Sequence, residues 1–482
     1  MDIREVDVAI IGAGSAGLPA RRAALKHRKS VVLIEHGPYG TTCARVGCMP
    51  SKLLIAAADA AHDIGHAKTF GIEAKDVSID GPAVLARVRR ERDRFVGFVV
   101  GAVDDIPSDE KLRGTARFTS PTELEVTDEG RDTRVQVKAG AVVIATGSSP
   151  WHPPVLNGAG DRLMQNDDVF ELQDLPESVA VVGTGVIGLE LGQALHRLGV
   201  RTSFFDITDL VGPVTDPVIK AKAQEVLGAE LDLHLEAQLQ AVEPDGDGVR
   251  LSWTEADGSR HSERFERVLA ATGRRPNLAS LNLEATGLEL GDNGVPRYDP
   301  RTMQCGEAPL FIAGDVTADR PLLHEASDEG HIAGENAALF PNVQAMRRRT
   351  PLNIVFVDPQ IAIAGQSYAE LKQAGTDFEV GEVSFDDQGR ARCMARNSGH
   401  LRVYGKWQCG SILGAEMIGP RVEHLAHLLA WTAQTGACVG QVLRQPFYHP
   451  VVEEGVRTAL RDLAGQLKMR CAADPLCDGA GT

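Results

Sequence analysis

Cys43 and Cys48 lie in the stretch GTTCARVGCMPSK, residues 40–52. Two thiols with four residues between them can close a small disulfide ring. Met49-Pro50-Ser51-Lys52 then opens a helix, with proline tolerated in the first turn because an N–H there has no intrahelical partner to lose. A helix N-terminus lowers the pKa of a nearby thiol, so one of the pair could rest as a thiolate. The same residues also suit half of a four-cysteine zinc site, or two buried structural cysteines. Zinc needs a second ligand pair, and Cys305, Cys393, Cys409, Cys438, Cys471 and Cys477 offer no matching pair nearby in the chain.

The elements that must position this chemistry carry nucleotide signatures. Residues 8–11 (VAII) read as a buried parallel strand running into Gly12-Ala13-Gly14-Ser15-Ala16-Gly17, followed by a helix to about His27 and a strand over residues 31–34 that ends at Glu35. Gly12, Gly14 and Gly17 let the backbone approach a pyrophosphate at the helix N-terminus, and Glu35 stands where an acid takes the ribose hydroxyls. The pattern recurs at Gly183, Gly185 and Gly188, with Asp206 closing the strand over residues 201–205. Duplication of the unit predicts two bound dinucleotides. Asp206, with no arginine in the Ile-Thr-Asp-Leu that follows it, favours a free 2′-hydroxyl and so NAD over NADP. Two similar strand ends, Val143-Ile144-Ala145-Thr146-Gly147 and Leu269-Ala270-Ala271-Thr272-Gly273, finish in glycine turns where the chain can cross between domains.

A chain of 482 residues is too long for one core and predicts about three domains at the usual ~150 residues each. With 43% apolar and 24% charged residues it has an ordinary globular composition. Its net charge of −16 argues against nucleic acid or an anionic membrane as partner, since either needs a basic face. Arg347-Arg348-Arg349 is read as a solvated inter-domain link. No secretory signal precedes the first strand, expected near Val6, and no apolar run reaches the ~18 residues of a membrane span. Eight cysteines are too few for a secreted disulfide scaffold in a chain this long, which predicts a cytoplasmic protein. His324 and His331 are seven residues apart, unlike the i, i+4 pair of a zinc helix. His424 and His427 share a helix face suited to packing or solvent. No metal is expected.

The segment GTTCARVGCMPSK resembles the active-site disulfide of the class I pyridine nucleotide-disulfide oxidoreductases, which are flavin-dependent. Ser51 before Lys52 makes it more similar to the dihydrolipoamide dehydrogenase branch than to the glutathione reductase branch. The resemblance implies an α/β chain with two Rossmann-like dinucleotide-binding domains, for FAD and NAD, and a C-terminal α+β dimerisation domain. FAD would be bound by residues 1–150 and 276–345, NAD by an inserted domain at 151–275, and the dimer formed by 350–468, leaving 469–482 as a flexible tail. Thr146, Gly147 and Gly273 then mark the passages between the FAD and NAD domains. Asp315 in Phe-Ile-Ala-Gly-Asp resembles the aspartate that contacts the flavin's ribityl chain, Gly114 and Ala116 resemble residues near the FAD adenine, and Lys52 and Glu190 resemble the pair beside the flavin N5.

The C-terminal FYHPVVEE resembles the family's His-Pro-Thr-x-Ser-Glu motif, which aligns His449 with the catalytic base and Glu454 with the carboxylate that orients it. Imidazole, with an ordinary pKa of ~6.5, can take a proton from a thiol at neutral pH, and a carboxylate on its other nitrogen fixes the tautomer. The implied activity is oxidation of dihydrolipoamide on a lipoyl-bearing protein by a Cys43–Cys48 disulfide, with Cys43 forming the mixed disulfide and Cys48 passing electrons to FAD and on to NAD. The implied assembly is a homodimer whose histidine serves the other subunit's disulfide. The alternative is an NAD(P)H-dependent reductase of another, glutathione-like disulfide or of mercuric ion. Ser51, Asp206 and Val186, the last where glutathione reductases commonly have a tyrosine lid, stand against glutathione. Departures from the family pattern are Ala44-Arg45 between the cysteines, Asp358-Pro359-Gln360 in place of Thr-x-Pro-Glu, and Val451-Val452-Glu453 in place of Thr-x-Ser. Cys471 and Cys477 stand where C-terminal cysteines relay electrons in thioredoxin and mercuric reductases, but their Gly/Ala/Asp surroundings favour an inactive tail.

Overall fold

The computed structural model describes residues 2–128, 130 and 133–468. Cys471 and Cys477 lie outside the described residues. The chain divides into two units, one made of Met1–Leu53, Leu85–Trp151 and Gly273–Arg348, the other of Leu54–Val84, His152–Thr272 and Arg349–Thr482.

In the first unit the strand Asp2–Ile11 lies parallel between Val31–Glu35 and Thr133–Ile144. Lys111–Arg113 extends the sheet at one edge, and Leu310–Ile312 pairs in parallel with the end of Thr133–Ile144. The first strand begins at Asp2, four residues earlier than the expected start near Val6, because Asp2 to Val6 pair in register with Val135 to Ala139. Thr133–Ile144 also pairs antiparallel with Glu123–Asp128, which pairs with Thr115–Ser120. Side chains alternate along a strand, and both faces here are covered: Val8, Ile10, Val31 and Leu33 enter one core and Ala9, Ile11, Val32 and Ile34 the other. This double burial explains why the strand reads as an unbroken apolar run.

The helix Gly17–Lys26 packs against Leu323–Leu339. Their approach is backbone to backbone, since a Cβ on Gly330 or Gly334 would overlap the backbone of Ala16 or Ala20. Sequence reading of Arg347 to Arg349 as a solvated link fails at Arg348, whose side chain is largely buried and paired with Glu325 and Glu329.

In the second unit Asp232–His234, Arg201–Phe205, Ser178–Val182, Arg267–Ala270 and Leu163–Met164 form a five-stranded parallel sheet in that order. A three-stranded antiparallel sheet, Gln238–Asp245, Gly248–Thr254 and Arg260–Phe265, closes one core over Phe205, Val268 and Trp253. The C-terminal part is a five-stranded antiparallel sheet ordered Leu352–Val355, Gln360–Gly365, Ile412–Gly419, His400–Lys406, Phe378–Ser384. The helices Val422–Thr435 and Glu454–Gln466 pack on it through Leu425, Leu429, Leu460 and Leu463. A mixed sheet with a parallel nucleotide-type core, a second, parallel one and a C-terminal α+β segment agree with the fold class expected from the sequence. No helix among the described residues is long and apolar enough to cross a membrane.

The helix crossing yields a stability test. Gly334→Ala places a methyl into the Ala20 backbone and should lower unfolding free energy by about 1–3 kcal/mol, the usual cost of overpacking. Gly97→Ala, in the helix Gly81–Asp104 with open space around it, should be neutral or stabilising by up to ~1 kcal/mol. Denaturation midpoints of the two variants should therefore move in opposite directions or differ clearly in size.

Candidate functional site

Cys43 sits in the short helix Thr42–Val46, and Cys48 opens the helix Cys48–His66. Thr41 caps the first with its hydroxyl accepting from Ala44 N–H at 3.2 Å, and Gly47 separates the two. A side chain on Gly47 would press on Cys43 Cα and the Thr42 carbonyl, so glycine there keeps the cysteine loop closed. Ser51 is buried and its hydroxyl donates to the Cys48 carbonyl at 3.1 Å. Both cysteines are free thiols, and their side chains are hydrogen-bonded to one another. That hydrogen bond, burial and charge on Cys48 push the Cys43 thiol far up, against a smaller downward pull from the Lys52 ammonium. The Arg45 stem lies over Gly40 beside Val96, and Gly40 has φ +122°.

The first glycine turn fits a dinucleotide. Gly12 has φ +110°, and a Cβ there would overlap the Ala145 carbonyl, while one on Gly17 would overlap the Gly12 carbonyl. Above Gly14 lies open space, where the N-terminus of Gly17–Lys26 points its N–H groups. Glu35 accepts from Ala13 N–H at 2.9 Å and Gly37 N–H at 2.7 Å, which aims its carboxylate at the rim of the turn. Gly114, with φ +144°, donates its N–H to the Glu35 carbonyl, and Ala116 is buried. Thr146 Oγ1 is buried without a partner and Gly147 has φ +68°, an orphan hydroxyl and an open turn suited to a polar ligand. Asp315 Oδ2 accepts from the Ser148 hydroxyl at 3.3 Å, and that hydroxyl accepts from Arg274 Nε at 2.8 Å. These residues fit FAD.

The second turn repeats the first. Gly183 has φ +107°, Gly188 would clash with the Gly183 carbonyl, and Gly185 faces open space. Asp206 Oδ2 accepts from Thr184 N–H at 2.8 Å, while Oδ1 accepts from both the N–H and the hydroxyl of Thr208 at 2.8 Å. Thr208 had no signal in the sequence, being one threonine in a loop. Gly273, φ +110°, belongs to the first unit, where its carbonyl accepts from Trp151 N–H.

Glu190 is buried on the helix Val186–Arg197 and accepts from Phe356 N–H at 3.0 Å. It belongs to the second unit and Lys52 to the first. His449 Nδ1 lies 3.0 Å from Glu454 Oε2, and the imidazole is 80% exposed. Glu454 is itself fixed by Val451 N–H at 3.3 Å and Arg457 Nη2 at 3.1 Å. With the Nδ1 proton donated to Glu454, Nε2 presents its lone pair outward as a base.

The departures from the family pattern have structural work in the second unit. Asp358 receives Arg197 at 3.1 Å and Arg396 at 2.5 Å, Gln360 caps Glu423 N–H, and the Val451 carbonyl accepts from Gln388. One fully buried acid beside Asp315 escaped sequence reading altogether: Glu329, which accepts from Gly314 N–H at 2.8 Å. In sequence it looked like one more acid on a helix.

Residues 6–330 match the pyridine nucleotide-disulphide oxidoreductase family and residues 352–460 its dimerisation domain. A dihydrolipoyl dehydrogenase of Haloferax volcanii is 30% identical over 469 residues, covering 95% of this chain and 96% of that protein. A mercuric reductase of Streptomyces lividans is also 30% identical, covering 97% and 98%. Among solved structures, LpdA from Mycobacterium tuberculosis superposes with a TM-score of 0.81 at 24% identity, covering 95% of this chain and 99% of that one. The HOCl-induced flavoprotein disulfide reductase RclA from Escherichia coli gives 0.78 at 22%, covering 96% and 100%. Both show the same fold.

The thiol geometry makes its own test. Cys48→Ala removes the largest cause of the raised Cys43 pKa, so the pH midpoint for alkylation of Cys43 should fall. Lys52→Met removes a downward pull and should move the midpoint up. Equal midpoints in all three proteins would contradict the coupling.

Proposed function

Because the chain belongs to the pyridine nucleotide-disulphide oxidoreductase family, with FAD and a pyridine nucleotide as its cofactors and a dimerisation domain that supports a homodimer, we propose that it is an NAD-dependent dihydrolipoamide dehydrogenase serving a lipoyl-bearing protein. The observation that carries this reading is His449: an exposed imidazole, oriented by Glu454 at 3.0 Å, on the segment that matches the dimerisation domain. An enzyme that oxidises a dithiol needs an accessible base to make the attacking thiolate.

In this reading residues 1–150 and 276–345 hold FAD, 151–275 hold NAD, and 350–468 form the dimer. His449 Nε2 takes a proton from one thiol of dihydrolipoamide, and the thiolate attacks the Cys43 sulfur of the Cys43–Cys48 disulfide, releasing Cys48 as thiolate. The second lipoyl thiol displaces Cys43 from the mixed disulfide, which leaves lipoamide oxidised and the cysteine pair reduced by two electrons. FAD, when bound, supplies the two-electron relay from the dithiol to the nicotinamide. Glu35 would take the ribose hydroxyls of FAD and Asp206 those of NAD, Lys52 would set the charge beside the flavin, and Asp315 would hold the flavin's ribityl chain. The cytoplasm, reducing enough to cycle such a pair, is the proposed compartment. The 30% identity to a mercuric reductase favours one second reading, reduction of a metal ion or another disulfide by NAD(P)H.

A panel of dihydrolipoamide with NAD, oxidised glutathione with NADPH, and mercuric ion with NADPH separates these readings; turnover only in the last two would sink the first. Ionised Asp206 repels a 2′-phosphate, a discrimination of about 2–4 kcal/mol, so NAD should be preferred at least ~30-fold in kcat/KM. His449→Ala should cut dihydrolipoamide oxidation ~10²–10⁴-fold, while NADH oxidation by an acceptor that draws directly on the flavin survives. Mixed dimers of His449→Ala and Cys43→Ser chains should regain part of the lipoamide activity if each site is shared between subunits. Absence of recovery in verified heterodimers would place each site in a single chain.

A further inference from the structure

We propose that Glu329 and Arg348 form a clamp that positions the Gly314–Asp315 turn, so that retention of FAD depends on two side chains standing behind the flavin contact. The inference rests on the proposed role of Asp315 as that contact.

Glu329, on the helix Leu323–Leu339, is completely buried. Its Oε2 accepts from Gly314 N–H at 2.8 Å and its Oε1 from Arg348 Nη2 at 2.6 Å. The same Nη2 donates to Glu325 Oε2 at 2.8 Å, and Arg348 Nη1 reaches Asp319 Oδ2 at 3.0 Å. One guanidinium therefore answers two buried carboxylates and a third that is half exposed. Gly314 has φ +82°, and a Cβ on it would come within 2.9 Å of the Ala16 Cβ at the start of the phosphate-facing helix. The turn is thus pressed against Ala16 on one side and drawn by its N–H towards Glu329. Asp315 follows directly, so slack at Gly314 moves the Asp315 carboxylate.

The groups facing Glu329 set its charge. Burial pushes its carboxyl up to about 7, opposed by Arg348 and the Gly314 N–H and reinforced by Asp319 and Glu325. Arg320 lies 3.8 Å from Glu325, and the Tyr298 phenol, pushed up to about 12, feels both Asp319 and Glu329. Glu329 is an acid, so its charge-assisted hydrogen bond to Gly314 and its ion pair to Arg348 are present above its pKa and fade as pH falls through it. A buried ion pair that merely joined two elements would leave FAD release indifferent to that titration.

The experiment follows FAD release from diluted holoenzyme by flavin fluorescence across pH, with circular dichroism as a check on folding. In the wild type, release should slow as pH rises through about 7. Glu329→Gln should release FAD ~10-fold or more faster above neutrality, the scale of losing a charged hydrogen bond, and should lose the pH dependence. Arg348→Met should shift the midpoint upward, and Arg348→Lys, which keeps the charge and guards against a folding defect, should restore it most of the way. Wild-type release and an unchanged profile in Glu329→Gln, beside rapid release in Asp315→Asn, would overturn the clamp. Wild-type retention in Asp315→Asn would instead overturn the assignment of Asp315 on which the clamp rests.

Discussion

Backbone pressed on backbone is the constraint from which the rest of this structure follows. Gly12 sits against the Ala145 carbonyl and Gly17 against the Gly12 carbonyl; Gly183 meets Ala271 and Gly188 meets Gly183 in the same manner. Each corner folds strand, turn and helix so tightly that a single Cβ would force them apart. The tightness aims the helix N-terminus at one point outside the sheet. It also pins Ala145 and Ala271, the residues that lead into Thr146-Gly147 and Thr272-Gly273. In each unit the glycine turn and the end of the neighbouring strand are therefore built as one object.

Charge placement then decides what those corners do. Near the cysteines, the hydrogen bond to Cys48, followed by burial, pushes the Cys43 thiol up. In the second unit, buried carboxylates stitch the nucleotide segment to the C-terminal sheet. Glu416 accepts from the Thr215, Asp216 and Tyr368 N–H groups, and Asp216 meets Arg402 at 2.7 Å and Tyr404 at 3.0 Å. Arg197 binds Glu230 at 2.6 Å as well as Asp358. Such pairs cost desolvation comparable to what they return.

Much of this was legible in the chain. The glycine turns, Glu35, Asp206 and the strands leading to them are visible because a missing Cβ and an unbroken apolar run are properties of single residues and short windows. The two nucleotide-type units followed from the repeated glycine pattern, and the C-terminal α+β part from the family resemblance of the cysteine segment. The cysteine loop was legible for the same reason. The C-terminal pair was not legible from spacing alone; a histidine and a glutamate five residues apart gain meaning only where the chain folds Glu454 back onto Nδ1.

Other residues revealed themselves only in three dimensions. Arg348, read as solvated in a run of three arginines, turns inward because Glu325 and Glu329 lie buried on a helix within reach. Asp358, which breaks the family pattern, becomes the meeting point of Arg197 and Arg396. Thr208 grips Asp206 through a local turn that composition does not announce. The sequence by itself determined where the backbone can bend and approach, because those limits are set by φ and by the presence of a Cβ. The tertiary structure alone decided which charges lose their water and which partner answers each, because desolvation and pairing depend on neighbours that arrive from distant parts of the chain.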